Sequence, residues 1–253
     1  MKIIKLTSLF ALIASISACT FHVGGNSKTA NISLSENLSL DANTLTKLNI
    51  EAGAGSLVVR SSDSQQVLVE ARIKTDENKS YTLTLKQSGD SAVLVAKQHN
   101  SGFWHGSSPY IDLVVSIPHG LNLDIEDGSG GINISNLKSN ITIDDGSGGI
   151  DMKEVVGRVS INDGSGHISL TNIQGNVSVE DGSGSLDIEN TKGNINIEDG
   201  SGGISVLDTS GHVTIDDGSG GIRVNNAGGL KIIEAGSGNL SVSGINGNIK
   251  IES

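Results

Sequence analysis

The sequence predicts an all-β chain: a parallel β-solenoid (β-helix) of 18-residue, two-strand rungs, preceded by a strand-rich, less regular N-terminal part. Three observations carry this. Asp-Gly-Ser-Gly begins at Asp127, Asp145, Asp163, Asp181, Asp199 and Asp217, every 18 residues without slippage, and Ala235-Gly236-Ser237-Gly238 keeps the phase. A constant period means each unit is one structural rung whose neighbours bury it. Aliphatic residues recur at fixed offsets around each aspartate and alternate with polar ones, the period of a half-buried strand. Finally, no proline follows Pro118, as a continuously hydrogen-bonded stack requires.

Taken in order, the chain opens with a secretory leader. Met1 to Ala18 carries Lys2 and Lys5, then an apolar run from Leu6 to Ile16, then small residues. That run is too short for a permanent bilayer span. Ile16-Ser17-Ala18-Cys19 resembles the lipobox of bacterial lipoproteins. The resemblance implies cleavage before Cys19, the only cysteine of the chain, with lipid on its thiol and its new amino group. Two or more acyl chains anchor a protein firmly where one does not. Thr20 after the cysteine, where aspartate is absent, places it by analogy in the outer membrane of a Gram-negative cell envelope.

Residues 19–28 are polar and Gly-bearing and read as a tether. Residues 29–120 alternate in several short stretches. Leu48 to Val59 contains Glu51-Ala52-Gly53-Ala54-Gly55, which echoes Glu234-Ala235-Gly236-Ser237-Gly238 and marks a diverged early rung. Ile111 to Ile117 is a strand ending at Pro118, which cannot donate to a ladder.

Residues 121–253 form the regular array. Four residues before each repeat aspartate lie Leu123, Ile141, Val159, Val177, Ile195 and Val213. Two before lie Ile125, Ile143, Ile161, Val179, Ile197 and Ile215, with Ile233 in the last copy. Five after lie Ile132 to Leu240, and seven after lie Ile134 to Val242. These columns give each rung two strands with aliphatics facing inward. A second turn carries Gly157, Gly175, Gly193, Gly211, Gly229 and Gly247. The last strand stops without an evident cap, and an uncovered edge invites self-association.

Charge is uneven. Cys19 to Gly120 holds nine acidic and eight basic residues; Leu121 to Ser253 holds nineteen and seven. The array therefore repels nucleic acid and attracts cations or basic partners, and acid also keeps a Gly-rich stack soluble. At the turn, the Asp side chain in phase with the inward column can accept turn N–H groups. The alternative is a calcium site built from Asp127, Asp145, Asp163, Asp181, Asp199 and Asp217, since calcium favours carboxylates in loops. The nonapeptide calcium β-roll pattern is not met. No cofactor is otherwise expected.

The stretch Ser116-Ile117-Pro118-His119-Gly120-Leu121-Asn122-Leu123, followed by recurring Gly-x-Ile-x-Ile-x-Asp-Gly-Ser-Gly-x-Ile, resembles a bacterial family of provisionally assigned adhesins with a β-strand-repeat domain of unknown function, relatives of GIN-domain and autotransporter-head-like proteins. The likeness covers roughly residues 29–253 and implies a β-helical protein of the cell envelope. It brings no binding residues of its own.

Catalytic patterns are not met. The residue two before each turn serine is aspartate, not the glycine of a nucleophile elbow, and no phosphate loop or His-Glu-x-x-His occurs. His167 and His212 are single-rung substitutions at turns. Residues 98–110 differ: Phe103, Trp104 and Tyr110, three of the six aromatics in the chain, sit with His99 and His105 in a Gly/Ser-rich loop. Phe103, Trp104, His105 and Tyr110 are candidates for a recognition loop or for a plug on the end of the stack. Outward Thr142, Ser160, Ser178, Asn196 and Thr214 form a polar row open to glycan, to protein, or simply to water. The expectation is an envelope-anchored, non-catalytic, adhesin-like binding or scaffolding lipoprotein. A calcium-binding surface module comes second and a polysaccharide-acting enzyme third.

Overall fold

The computed structural model describes residues 29–99 and 106–252. Cys19, the leader and the tether lie outside them, as do Phe103, Trp104 and His105. The described residues form twenty strands and no helix. In chain order these are β1 (Ile32–Asp41), β2 (Lys47–Ala52), β3 (Leu57–Ser62), β4 (Gln66–Thr75), β5 (Tyr81–Ser88), β6 (Ser91–Gln98) and β7 (Tyr110–Pro118). The array follows as β8 (Asn122–Asp127), β9 (Gly130–Lys138), β10 (Ile141–Asp145), β11 (Gly148–Val156), β12 (Val159–Asp163), β13 (Gly166–Gln174), β14 (Val177–Asp181), β15 (Gly184–Thr191) and β16 (Ile195–Asp199). Its last strands are β17 (Gly202–Asp217), β18 (Gly220–Ala235), β19 (Leu240–Ile245) and β20 (Ile249–Ile251).

Parallel pairing from rung to rung produces two continuous ladders. One runs through β6, β2, β8, β10, β12, β14, β16, the second halves of β17 and β18, and β20. The other runs through β7, β3, β9, β11, β13, β15, the first halves of β17 and β18, and β19. Most neighbours in the array are offset by 18 residues, so each aliphatic column stacks on itself: Ile125 pairs with Ile143, Ile143 with Ile161. One continuous core runs through the rungs, from Ala42 to Ile232, with almost all members at or under 3 % exposed. Each such aliphatic side chain contributes about 1.5–3 kcal/mol on burial, so the stack needs no large aromatic core.

The diverged early rung stacks directly on the array. Leu48 and Ile50 of β2 pair with Leu123 and Ile125, and Leu57 and Val59 of β3 pair with Ile132 and Ile134. On their other side β2 and β3 pair with β6 and β7. The chain thus enters the stack at β2–β3, leaves it to build the N-terminal end, and returns at β8 one rung beyond its entry. That end is closed by antiparallel strands: β4 on β7, β1 on β4, and β5 on β6. Tyr81 donates its hydroxyl to Glu36, tying β5 to β1. Burial, then Glu36, pushes the Tyr81 pKa up to about 12.

Two features of the rung depart from simple alternation. Asn136, Glu154, Asn172, Asn190, Asp208 and Asn226 all have φ between 53° and 60°. They fall nine residues after each repeat aspartate and are skipped by the ladder, where Lys153 pairs with Thr171 and Val155 with Ile173. This left-handed residue resets the strand phase. It turns a third column inward: Leu137, Val155, Ile173, Thr191, Thr209 and Ala227, all buried. The second departure corrects one expected position. The turn before the last copy is one residue shorter, so His212 pairs with Gly229 and Ile215 with Ile232. A bulge at Ile233 then restores the 18-residue offset at Asp217 and Ala235. Ile232 therefore fills the inward column at 0 % exposure, while Ile233 points out at 37 %.

The corner of Asp-Gly-Ser-Gly is where rungs approach most closely. A Cβ on Gly148, Gly166, Gly184, Gly202 or Gly220 would sit 1.5–1.8 Å from the carbonyl oxygen of the matching glycine one rung before. Backbone bonds cross this corner at each step, with Gly164 N–H donating to Asp145 O at 2.9 Å and Gly166 N–H to Ser183 O at 3.0 Å. Gly203, the residue after one such corner glycine, faces open space. Gly202→Ala is expected to lower the thermal unfolding midpoint by about 6 °C or more, and Gly203→Ala to leave it within about 1 °C. Equal effects of the two would show that the corner is not close-packed.

Candidate functional site

The inward column at the strand ends is a buried carboxyl ladder. Asp127, Asp145, Asp163, Asp181, Asp199 and Asp217 lie in register on β8, β10, β12, β14, β16 and β17. All six are buried, the most exposed at 7 %. Parallel neighbours in register lie about 4.8 Å apart. Ala52 continues the column above Asp127, given the register of Glu51 with Glu126 and of Ala54 with Ser129, and Ala235 continues it beyond Asp217. Each end of the ladder is thus a methyl group.

Each turn binds one oxygen of its aspartate. Oδ1 of Asp145, Asp163, Asp181 and Asp199 accepts the N–H of the serine two residues on, at 3.0–3.2 Å. This is the Asx turn, which holds the Gly-Ser corner in shape. Oδ2 of Asp127, Asp145, Asp163, Asp181 and Asp217 is buried without a hydrogen-bond partner among the described residues. Burial raises the pKa of all six. Asp127, Asp163 and Asp199 are pushed up to about 6, by burial first and then by the carboxylates of adjacent rungs. Turn N–H groups oppose the rise. The ladder presents one carboxyl per rung. Among the described residues no three acidic, histidine or cysteine side chains gather as a metal site requires.

Outside, the same strands present two polar rows. Thr142, Ser160, Ser178, Asn196 and Thr214 stand in register, as do Glu126, Asp144, Asn162, Glu180, Glu198, Asp216 and Glu234. A shallow open depression crosses the hydroxyl row, lined by Asn176, Ser178, Asn194, Asn196, His212 and Thr214 among others. The amides beside it have structural work: Oδ1 of Asn176 accepts Asn194 N–H at 3.0 Å, and Oδ1 of Asn194 accepts His212 N–H at 2.9 Å. Among the described residues the side chains of Ser178, Asn196 and Thr214 form no hydrogen bond, and they face outward from the ladder. His167 stands at the Asp corner with Nδ1 2.7 Å from Ser185 Oγ.

The left-handed residues make a second outer ladder, which the strand reading of the sequence did not anticipate. Asn172 Nδ2 donates to Glu154 Oε1 at 2.6 Å, Asn190 Nδ2 to Asn172 Oδ1, and Asn226 Nδ2 to Asp208 Oδ1 at 2.8 Å. The signal was present: Asn or Asp, the residues most tolerant of φ > 0, recurs there in five of six rungs. Of the candidate loop, Tyr110 is described; it opens β7 and is 40 % exposed. At the far end β19 and β20 pair on one side only among the described residues, and Leu240, Ile249 and Ile251 are 40–54 % exposed.

Residues 45–244 match the family model described as Toastrack DUF4097. None of the curated proteins matches the chain. Among solved structures, a candidate lipid-binding protein of Parabacteroides distasonis ATCC 8503 is similar at 15 % identity and TM-score 0.44, over 86 % of this chain and 97 % of its own. A candidate cell adhesion protein of Clostridium sporogenes ATCC 15579 is similar at 14 % identity and TM-score 0.33, over 87 % and 100 %. A candidate adhesin of Bacteroides fragilis NCTC 9343 is similar at 10 % identity and TM-score 0.34, over 86 % and 97 %.

The amide ladder yields a stability prediction. Asn190 holds φ 56° and donates to Asn172. Asn190→Val, a β-branched residue in the left-handed region, is expected to cost about 2–3 kcal/mol from backbone strain and the lost bond. Asn190→Gly, which relieves the strain, is expected to cost less than half of that. Denaturant unfolding with unchanged m-values measures both; equal losses would refute the strain argument.

Proposed function

This chain belongs to the Toastrack DUF4097 family, and from that membership and its outer surface we propose that it is a non-catalytic, adhesin-like binding module, lipid-anchored at Cys19 in the cell envelope, on the outer membrane of a Gram-negative bacterium. The observation that carries the reading is the row Thr142, Ser160, Ser178, Asn196 and Thr214, held in register on a rigid ladder. Hydroxyl and amide groups repeated at rung spacing can meet a hydroxyl-rich glycan or an extended protein segment through many weak hydrogen bonds. The stacked strands hold them fixed, so little ordering entropy opposes binding. The adjacent acidic row favours a neutral or basic partner over an anionic one. Phe103, Trp104, His105 and Tyr110 form a second contact in this proposal, since aromatic side chains anchor interfaces. The finer likeness to GIN-domain and autotransporter-head-like proteins belongs to the same proposal.

The test is attachment of cells carrying the full chain to glycan-coated and protein-coated surfaces. Introducing Ser178→Arg, Asn196→Arg and Thr214→Arg together is expected to reduce attachment about tenfold, the equivalent of about 1.4 kcal/mol. Cys19→Ser is expected to release the chain from membranes and abolish attachment. If cells lacking the chain attach as well as wild type, the binding role is refuted.

The open end of the stack adds a further element to the proposal: a second copy associates by strand addition at β19 and β20. Light scattering of the full chain in detergent should show dimers or larger species that Ile249→Lys with Ile251→Lys reduces to monomers. A monomeric wild type across concentration would remove self-association from the reading.

A further inference from the structure

The buried carboxyl ladder is more than a set of turn caps. An Asx turn needs one side-chain oxygen per corner, and asparagine or serine would serve it without burying a charge. Here six carboxyls are stacked in register, and five of them hold an Oδ2 that is buried and has no partner. A carboxylate accepts only, whereas a protonated carboxyl both donates and accepts. Two stacked, ionised carboxylates therefore repel across the rung spacing. If one of them takes a proton, the same pair can form an O–H···O bond between the two unpartnered oxygens. Among the described residues no other group partners these oxygens.

We propose that this column is an acid-strengthened clasp: in mild acid, alternate aspartates take up protons and donate to the free Oδ2 of a neighbouring rung, so that the rungs hold one another more tightly than at neutrality. The groups around the column agree with this. Above it stands Ala52 and beyond it Ala235. The inward positions of the facing strands that follow each corner are aliphatic, Ile132, Ile150, Ile168, Leu186, Ile204 and Ile222. The charged groups that act on it from its own strands and from β18 are Asp144, Asp216 and Glu234, all acidic. His167, the one imidazole at this corner among the described residues, is engaged with Ser185. No cation among the described residues is set to hold the ladder ionised.

The sign of the pH dependence follows. Asp127, Asp163 and Asp199, on alternate rungs, have pKa values raised from 3.8 to about 6. Between those two values the folded chain binds more protons than the unfolded one, so stability falls as pH rises. The contribution is fully present below about pH 4 and is lost as pH rises through about 6, the reverse of a salt-bridged aspartate.

The experiment is thermal unfolding of the full chain in detergent at about pH 5 and about pH 7.5, with carboxyl carbon NMR titration of the aspartates. The unfolding midpoint is expected to be higher at the lower pH. Asp127→Asn, Asp163→Asn and Asp199→Asn together, which install neutral donors, should remove most of that difference. Glu180→Gln with Glu198→Gln on the outer row should leave most of it, which separates the clasp from general relief of acidic repulsion. A difference that survives the triple asparagine variant, or a wild type no more stable at about pH 5, overturns the proposal. Should the triple variant not fold, the wild-type titration decides. Three or more aspartates with midpoints near 6 uphold it, and all six below about 4.5 overturn it.

Discussion

The whole molecule depends on how closely one backbone corner can sit on the next. Rungs are joined by main-chain hydrogen bonds at the fixed spacing of parallel strands, and at the Asp-Gly-Ser-Gly corner that spacing leaves no room for a Cβ. Every other property follows from keeping that contact. The two ladders stay in register because the corner does. The aliphatic columns need only thin layers because neighbouring rungs cover them. The outer rows are straight because the inner columns are.

The same constraint explains which parts of the structure were legible in the sequence. A corner that excludes Cβ at every rung prints glycine at an invariant interval, so the solenoid and its inward columns could be read directly. The diverged rung at Leu48 to Val59 was legible for the same reason, since Gly53 and Gly55 persist there. Ile233 misled because constant spacing between repeat aspartates concealed a shortened turn and a compensating bulge, which cancel in the count. The left-handed column at Asn136 to Asn226 is hidden in the sequence because it interrupts strand alternation at a single position and the aliphatic pattern resumes at once. The antiparallel closure by β1, β4 and β5 was out of reach, since alternation marks a strand without saying which way it runs. At the candidate site, the inward phase of the aspartates was readable, but their unpartnered Oδ2 atoms and the flanking alanines required the register.

The two faces of one strand therefore bear opposite electrostatic conditions. Outside, Glu126, Asp144, Glu180, Glu198, Asp216 and Glu234 are solvated and screened, where neighbouring like charges cost little. Inside, one residue further along, the aspartates lose water and sense each other across the rung. An acidic surface keeps the array dispersed and disfavours anionic partners, while the acidic interior makes cohesion between rungs responsive to protons. The outer polar row and the clasp share the same strands, so a change in rung cohesion reaches the spacing of Ser178, Asn196 and Thr214 directly.

A tandem array of near-identical units carries an ambiguity that no single unit can resolve. Sliding the chain by one whole repeat would again place isoleucine on isoleucine and glycine on glycine, at almost no local cost. The placement of β2 between β6 and β8, and of β3 between β7 and β9, removes that freedom. The short link from Pro118 to Asn122 reaches only one place in the stack, and the strand it meets there ends in Ala52 where the next six rungs have aspartate. The first regular rung is thereby addressed uniquely, and each following rung inherits its address from the one before. The irregular N-terminal segment is the origin from which the repeat is counted.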